Sequence, residues 1–83
     1  MPFYVYILYS KTIDQYYIGH TSDIEDRLFR HNNSGSKATK KARDWKLVYK
    51  KEFETRAEAC KREIEIKNKK SRRYLESLFL LAE

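Results

Sequence analysis

Two short aromatic runs, Tyr4-Val5-Tyr6 and Tyr17-Ile18-Gly19, constrain what this chain can fold into more than any other feature. Both are rich in residues that favour extended backbone, and the polar stretch over residues 10–15 has loop length, so together they predict a β-hairpin. Side chains alternate along a strand: Tyr4, Tyr6 and Leu8 share one side, Phe3, Val5, Ile7 and Tyr9 the other. Neither side is polar. A strand apolar on both faces is covered on both, which places the first strand in the centre of a small sheet with helices packed around it.

The rest of the chain supplies those elements. Residues 21–25 open a helix that runs to about His31; Ser22 with Glu25 has the capping-box spacing, and acids fill the first turn. Small polar residues and Gly35 end it and begin a long connection up to Asp44, of a length that in compact domains is functional or disordered. Trp45, Val48, Tyr49 and Phe53 mark a third strand, interrupted by Lys50 and Lys51. Thr55 with Glu58 repeats the capping-box spacing before a second helix, where Ala57, Cys60 and Ile64 alternate with Ala59, Glu63 and Ile66. Ser71 is placed to cap a last helix with Tyr74, Leu75, Leu78, Phe79 and Ala82 along one stripe, to be buried on the sheet or against a second copy of the chain. The expected fold class is α/β (α+β): a small three-stranded, mainly antiparallel sheet flanked by helices, in the order β-β-α-β-α-α.

With 83 residues there is material for one modest core, so residues 1–83 are read as a single domain without a separate DNA-binding unit. A net charge of +6 and a pI near 9.5 favour polyanionic partners, nucleic acid ahead of an anionic membrane surface. The apolar runs 3–9 and 78–82 are too short to span a bilayer, and no basic segment precedes the first. A soluble, cytoplasmic protein is expected. Cys60, the single cysteine, has no partner for a disulfide or a CxxC zinc site and reads as a small hydrophobe.

Several polar residues sit on otherwise apolar stripes. On a helix, Ile24, Arg27, Leu28 and His31 fall within roughly 100°, so burying Ile24 and Leu28 draws Arg27 and His31 toward the sheet. A buried arginine needs an anion, either a carboxylate such as Glu63 or a phosphate from outside. His31 is alternatively a helix C-terminal histidine favoured by the dipole. Glu63 lies on the Ala59/Ile66 stripe and should point inward, as a salt-bridge partner of Arg27 or as the carboxylate of a hard cation. Tyr6 and Tyr17 are common strand residues unless their hydroxyls meet Arg27 and Glu63 on one face. Gly19 ends its strand, either to turn or to let backbone lie close to a substrate.

The ordered set of two tripeptides, Arg27 and His31 on one helix and Glu63 on a later one resembles the GIY-YIG nuclease domain over roughly residues 3–70. Tyr4 and Val5 stand where the name motif has glycine and isoleucine, as in short single-domain members. The resemblance implies a phosphodiesterase site of Tyr6, Tyr17, Arg27, His31 and Glu63. Glu63 would hold one Mg2+ or Mn2+, and a tyrosine, Tyr17 in preference to Tyr6, would activate water. It further implies endonuclease action on DNA, on branched or flap structures, with DNA repair as the setting. His20 follows the second tripeptide where excision-repair nucleases carry a lysine, and stands with Gly19 as a nucleic-acid contact. The backbone footprint is drawn from Lys37, Lys40, Lys41 and Arg43 in the long loop, and from Lys67, Lys69, Lys70, Arg72 and Arg73 after the glutamate. Two other readings compete: a nucleic-acid-binding module without cleavage, and a small subunit whose C-terminal apolar helix docks a partner or a second copy.

Overall fold

A computed structural model describes residues 2–33 and 41–81. Six elements follow in the expected order: β1 (Phe3–Ser10), β2 (Gln15–Thr21), α1 (Ile24–Asn33), β3 (Lys46–Phe53), α2 (Arg56–Lys69) and α3 (Arg72–Leu81). The sheet runs β2-β1-β3, antiparallel throughout, so the strand apolar on both faces is indeed the central one. Its Val5, Ile7 and Leu8 are 0 % exposed, which only a strand covered from both sides achieves.

Two clusters of side chains divide the interior. On one face Val5 and Ile7 pack with Ala59 and Ile66 of α2 and with Leu75 and Leu78 of α3. On the other, Tyr6 and Leu8 pack with Ala42 and Trp45, flanked by Tyr17, Ile24 and Leu28. The apolar stripe of α3 is therefore spent on the sheet. Ser71 caps this helix by accepting from the Tyr74 amide (3.1 Å). Ala82 lies outside the described residues, as do Lys37 and Lys40 of the loop.

Local chemistry explains the boundaries. Thr55 forms a full capping box with Glu58 and opens α2, while Lys70 closes it in the left-handed region (φ 48°). At the hairpin tip Asp14 takes φ 50°, a conformation that aspartate tolerates better than most residues. Its carboxylate accepts from Tyr9 (2.5 Å) and pairs with Arg72, tying the turn to α3.

Several expectations shift. α1 is capped not by Ser22 but by Asp23, whose Oδ1 accepts from the Asp26 amide (3.1 Å), because Thr21 and Asp23 close a turn of their own first. Trp45 precedes β3 rather than belonging to it, and the strand's pairing slips between Ile7 and Leu8. In α2 Ala59 and Ile66 are buried, whereas Ala57 is exposed and Ile64 is 51 % exposed, so the burying stripe is narrower than the spacing suggests. Cys60 is half-buried. No helix among the described residues is long and apolar enough to cross a membrane.

Candidate active site

The hairpin register sets the first part of the site. Tyr6 pairs with Gly19 and Leu8 with Tyr17, so the two phenols lie on the same face of the sheet, on neighbouring strands. The Tyr6 ring leans outward over β2 until its hydroxyl occupies the space beside Gly19. A Cβ on residue 19 would stand 2.7 Å from that oxygen and 2.8 Å from the ring carbon bearing it. The glycine is therefore needed for space and not for a turn.

His31, on the last turn of α1, completes this group. It is 6 % exposed, and its Nε2 shares a hydrogen bond of 3.0 Å with the Tyr6 hydroxyl. The Tyr17 ring stands 4.7 Å from the imidazole and 6.3 Å from the Tyr6 ring, both tilted contacts of the kind aromatic quadrupoles favour. Burial raises the Tyr6 pKa strongly and the neighbouring Tyr17 raises it further; Arg27 opposes the shift and Glu63 adds to it. Burial likewise lowers the His31 pKa, with Arg27 pushing the same way. A protonated phenol and a neutral imidazole thus face each other at neutral pH.

Arg27 departs from expectation. It is exposed rather than drawn into the core. Ile24 and Leu28 are only partly buried, and a long arginine stem at the margin of the stripe carries its head into water. Its charge still acts on both Tyr6 and His31.

Glu63 arrives from the other side of the sheet. It stands on α2, which packs on the Val5/Ile7 face, and its side chain is 14 % exposed. Of the two partners expected for it, Arg27 or a hard cation, Arg27 is not what holds it. Oε1 accepts from His20 Nδ1 and Oε2 from Lys67 Nζ, each at 2.6 Å. Burial alone would raise the Glu63 pKa, but Lys67 and then His20 outweigh it and keep the carboxyl below its usual range. His20 follows Gly19 on the edge strand, so the two halves of the set meet around β2 and not on one face.

One carboxylate is what Glu63 offers a metal, and no group of three or more His, Cys, Asp or Glu side chains converges among the described residues. That donor set fits magnesium, which binds through one or two carboxylates and completes its shell with water and phosphate oxygens. It does not suit a tetrahedral nitrogen or sulfur site. Both carboxylate oxygens already face nitrogen, so a cation at Glu63 would compete with Lys67, whose side chain is half-exposed.

The basic residues divide by position. Lys41 and Arg43 are exposed on either side of Ala42, which is packed on the Tyr6/Trp45 side. Lys67 and Lys70 line a groove with Ile18 and Ser71 beside β2, and Lys69 lies over the Tyr74 ring. Arg72 is taken up by Asp14 and Glu76.

Three residues that shape the site carry no motif. Asp44 accepts from Ser10 Oγ (2.6 Å), Thr12 N (3.0 Å) and Thr12 Oγ1 (2.9 Å), fastening the end of the long loop to the hairpin turn. Asn32 holds the backbone of Trp45, whose ring meets that of Tyr17 at a steep angle of 66°, centroids 6.5 Å apart. An acid among basic loop residues and a tryptophan flanked by polar residues were the only sequence signals for them.

Residues 2–75 match the family described as the GIY-YIG catalytic domain. A UPF0213 protein of Staphylococcus saprophyticus is 48 % identical over 65 residues, covering 77 % of this chain and 78 % of the relative. Another from Staphylococcus haemolyticus is 43 % identical with the same coverage. The solution NMR structure of the UPF0213 protein from Bacillus halodurans superposes with a TM-score of 0.60 at 36 % identity, over 98 % of this chain and 85 % of that one.

Proposed function

The chain belongs to the GIY-YIG catalytic-domain family, a nuclease family, and from that premise we propose that it is a divalent-metal-dependent endonuclease hydrolysing phosphodiester bonds in DNA, branched or flap structures included. One observation carries the reading: the Tyr6 and Tyr17 phenols and the His31 imidazole converge beside β2, the strand whose His20 holds Glu63.

The two phenols divide the work. Tyr6 is held protonated by burial and by its neighbour, so it serves as a hydrogen-bonding group toward the phosphate or the water and not as a base. Tyr17, less buried, is left as the phenol that takes a proton from the attacking water. The Arg27 guanidinium, exposed and fixed on α1, neutralises the non-bridging oxygens as charge builds on them. Neutral His31 holds the Tyr6 hydroxyl in place. A divalent ion at Glu63 would supply Lewis-acid stabilisation of the leaving oxygen. Lys67, released from the carboxylate, and Lys70, Lys41 and Arg43 would meet backbone phosphates, giving affinity without base readout.

The capped state of Glu63 favours a second reading, a nucleic-acid-binding module without cleavage. With His20 and Lys67 on its two oxygens, the carboxylate already has the charge partners it needs. Branched, flap, nicked and linear substrates incubated with magnesium or manganese separate the two. The enzyme reading expects cleavage that Glu63→Ala abolishes and Tyr17→Phe lowers at least about a hundredfold, within the range that general base catalysis contributes. Binding that survives both changes without any cleavage assigns the chain to the second class.

A further inference from the structure

The carboxamide of Asn32 hydrogen-bonds both the amide and the carbonyl of the Trp45 backbone. Its Oδ1 accepts from the Trp45 amide at 2.7 Å and its Nδ2 donates to the Trp45 carbonyl at 3.0 Å. A carboxamide offers an acceptor and a donor on neighbouring atoms, whereas an ionised aspartate can only accept. Asn32 is the next residue after His31 on α1, so the helix that delivers the imidazole also sets where the long loop ends.

The residue clamped is not an incidental one. Trp45 is 4 % exposed and packs with Tyr6, Leu8 and Ala42, and its ring meets Tyr17 edge-on, at 6.5 Å and 66°. Tyr17 thus has both the His31 imidazole and the indole as ring neighbours. A half-buried tyrosine on an edge strand has room to change rotamer; a fixed indole beside it removes that room. We infer that Asn32 is a positioning residue, which by locking the Trp45 backbone fixes the orientation of the Tyr17 phenol.

This rests on the reading of Tyr17 as the phenol that meets the water, and it predicts more than a loop anchor would. An anchor alone, such as Asp44 on the hairpin turn, orders the chain without directing a reacting group. Removing Asn32 should lower kcat by tenfold to about a hundredfold with KM within about twofold, because a displaced reacting group costs rate and not binding.

Trp45 is the chain's single tryptophan, so its fluorescence reports on the clamp directly. In Asn32→Ala with helical circular dichroism retained, Trp45 emission should move to longer wavelength and become more accessible to acrylamide, the ring resonances of Tyr17 labelled with carbon-13 should shift, and kcat should fall as stated. Asn32→Asp, which keeps the acceptor for the Trp45 amide and loses the donor to its carbonyl, should fall between the two, and it decides the matter if Asn32→Ala does not fold. Unmoved Trp45 emission and Tyr17 resonances in a folded variant overturn the inference, as does full kcat or a loss confined to KM. Should the wild-type protein cleave nothing, the nuclease reading falls, while the emission and the Tyr17 resonances still decide whether Asn32 orients that ring.

Discussion

Gly19 shows how a single missing side chain can hold a site open. Replacing a strand glycine with alanine ordinarily stabilises by roughly 0.5–1 kcal/mol, since less backbone freedom is lost on folding. Here the new methyl would meet the hydroxyl of Tyr6, a residue only 3 % exposed and bonded to His31, which cannot simply swing aside. Overpacking costs of about 1–3 kcal/mol outweigh the gain. Gly19→Ala is expected to lower the urea midpoint and to cut cleavage by displacing Tyr6; an unchanged midpoint would contradict the contact. His31 gives the second prediction at this scale. Burial and Arg27 hold its folded pKa below the unfolded value of about 6.5, so as pH falls through that value the unfolded chain binds more protons and stability drops. The lowered carboxyls of Asp14, Asp44 and Glu63 contribute stability that is lost only at more acidic pH, through their own folded values. Urea midpoints between pH 7 and 5 should therefore decline less in His31→Gln than in the wild type. Equal declines would mean that the imidazole is not held neutral.

At the level of elements, α2 is the one whose placement the site most depends on, because it carries Glu63 to His20. Its start is fixed by Thr55, whose hydroxyl accepts from the Glu58 amide (3.2 Å) while Glu58 accepts from the Thr55 amide (3.3 Å). Thr55→Ala should cost about 1 kcal/mol in urea unfolding, the usual value of an N-cap, and a loss near zero would show that packing of Ala59 and Ile66 alone sets the helix. That cap was legible in the sequence, as were the hairpin, the central strand and the final helix, because each is written in local spacing that structure obeys. What local spacing cannot express is what lies across from a residue. Arg27 falls on the right stripe yet is exposed, since stripe arithmetic ignores how far a long side chain reaches. Glu63 points inward as its neighbours require, but toward His20 and Lys67, partners set by the edge-strand register and the helix turn. Asn32 and Asp44 were passed over because a polar residue at a helix end or in a basic loop carries no sign of the backbone it will clasp.

For the molecule as a whole, the question is whether its net charge of +6 acts as a diffuse field or through particular contacts. The described residues span at most 30 Å, which matches about nine phosphates along one strand at 3.4 Å each, and only those facing the protein can be neutralised. A handful of contacts should therefore set the salt dependence of DNA affinity. Lys41 and Arg43 flank Ala42 on the side of the sheet that carries Tyr6 and Tyr17, whereas Lys51 pairs with Val5 on the other face and Lys61 stands exposed on α2, which packs on that face. Each pair removes the same formal charge when changed to glutamine, so a mean-field attraction would be weakened equally by either. Local contact predicts a difference: Lys41→Gln with Arg43→Gln should flatten the plot of log affinity against log salt by roughly 1.4–1.8, two phosphates at about 0.7–0.9 each. The Lys51→Gln, Lys61→Gln protein should keep nearly the wild-type slope. Equal flattening by both would place the binding surface elsewhere, and with it the path by which a phosphodiester reaches Tyr17.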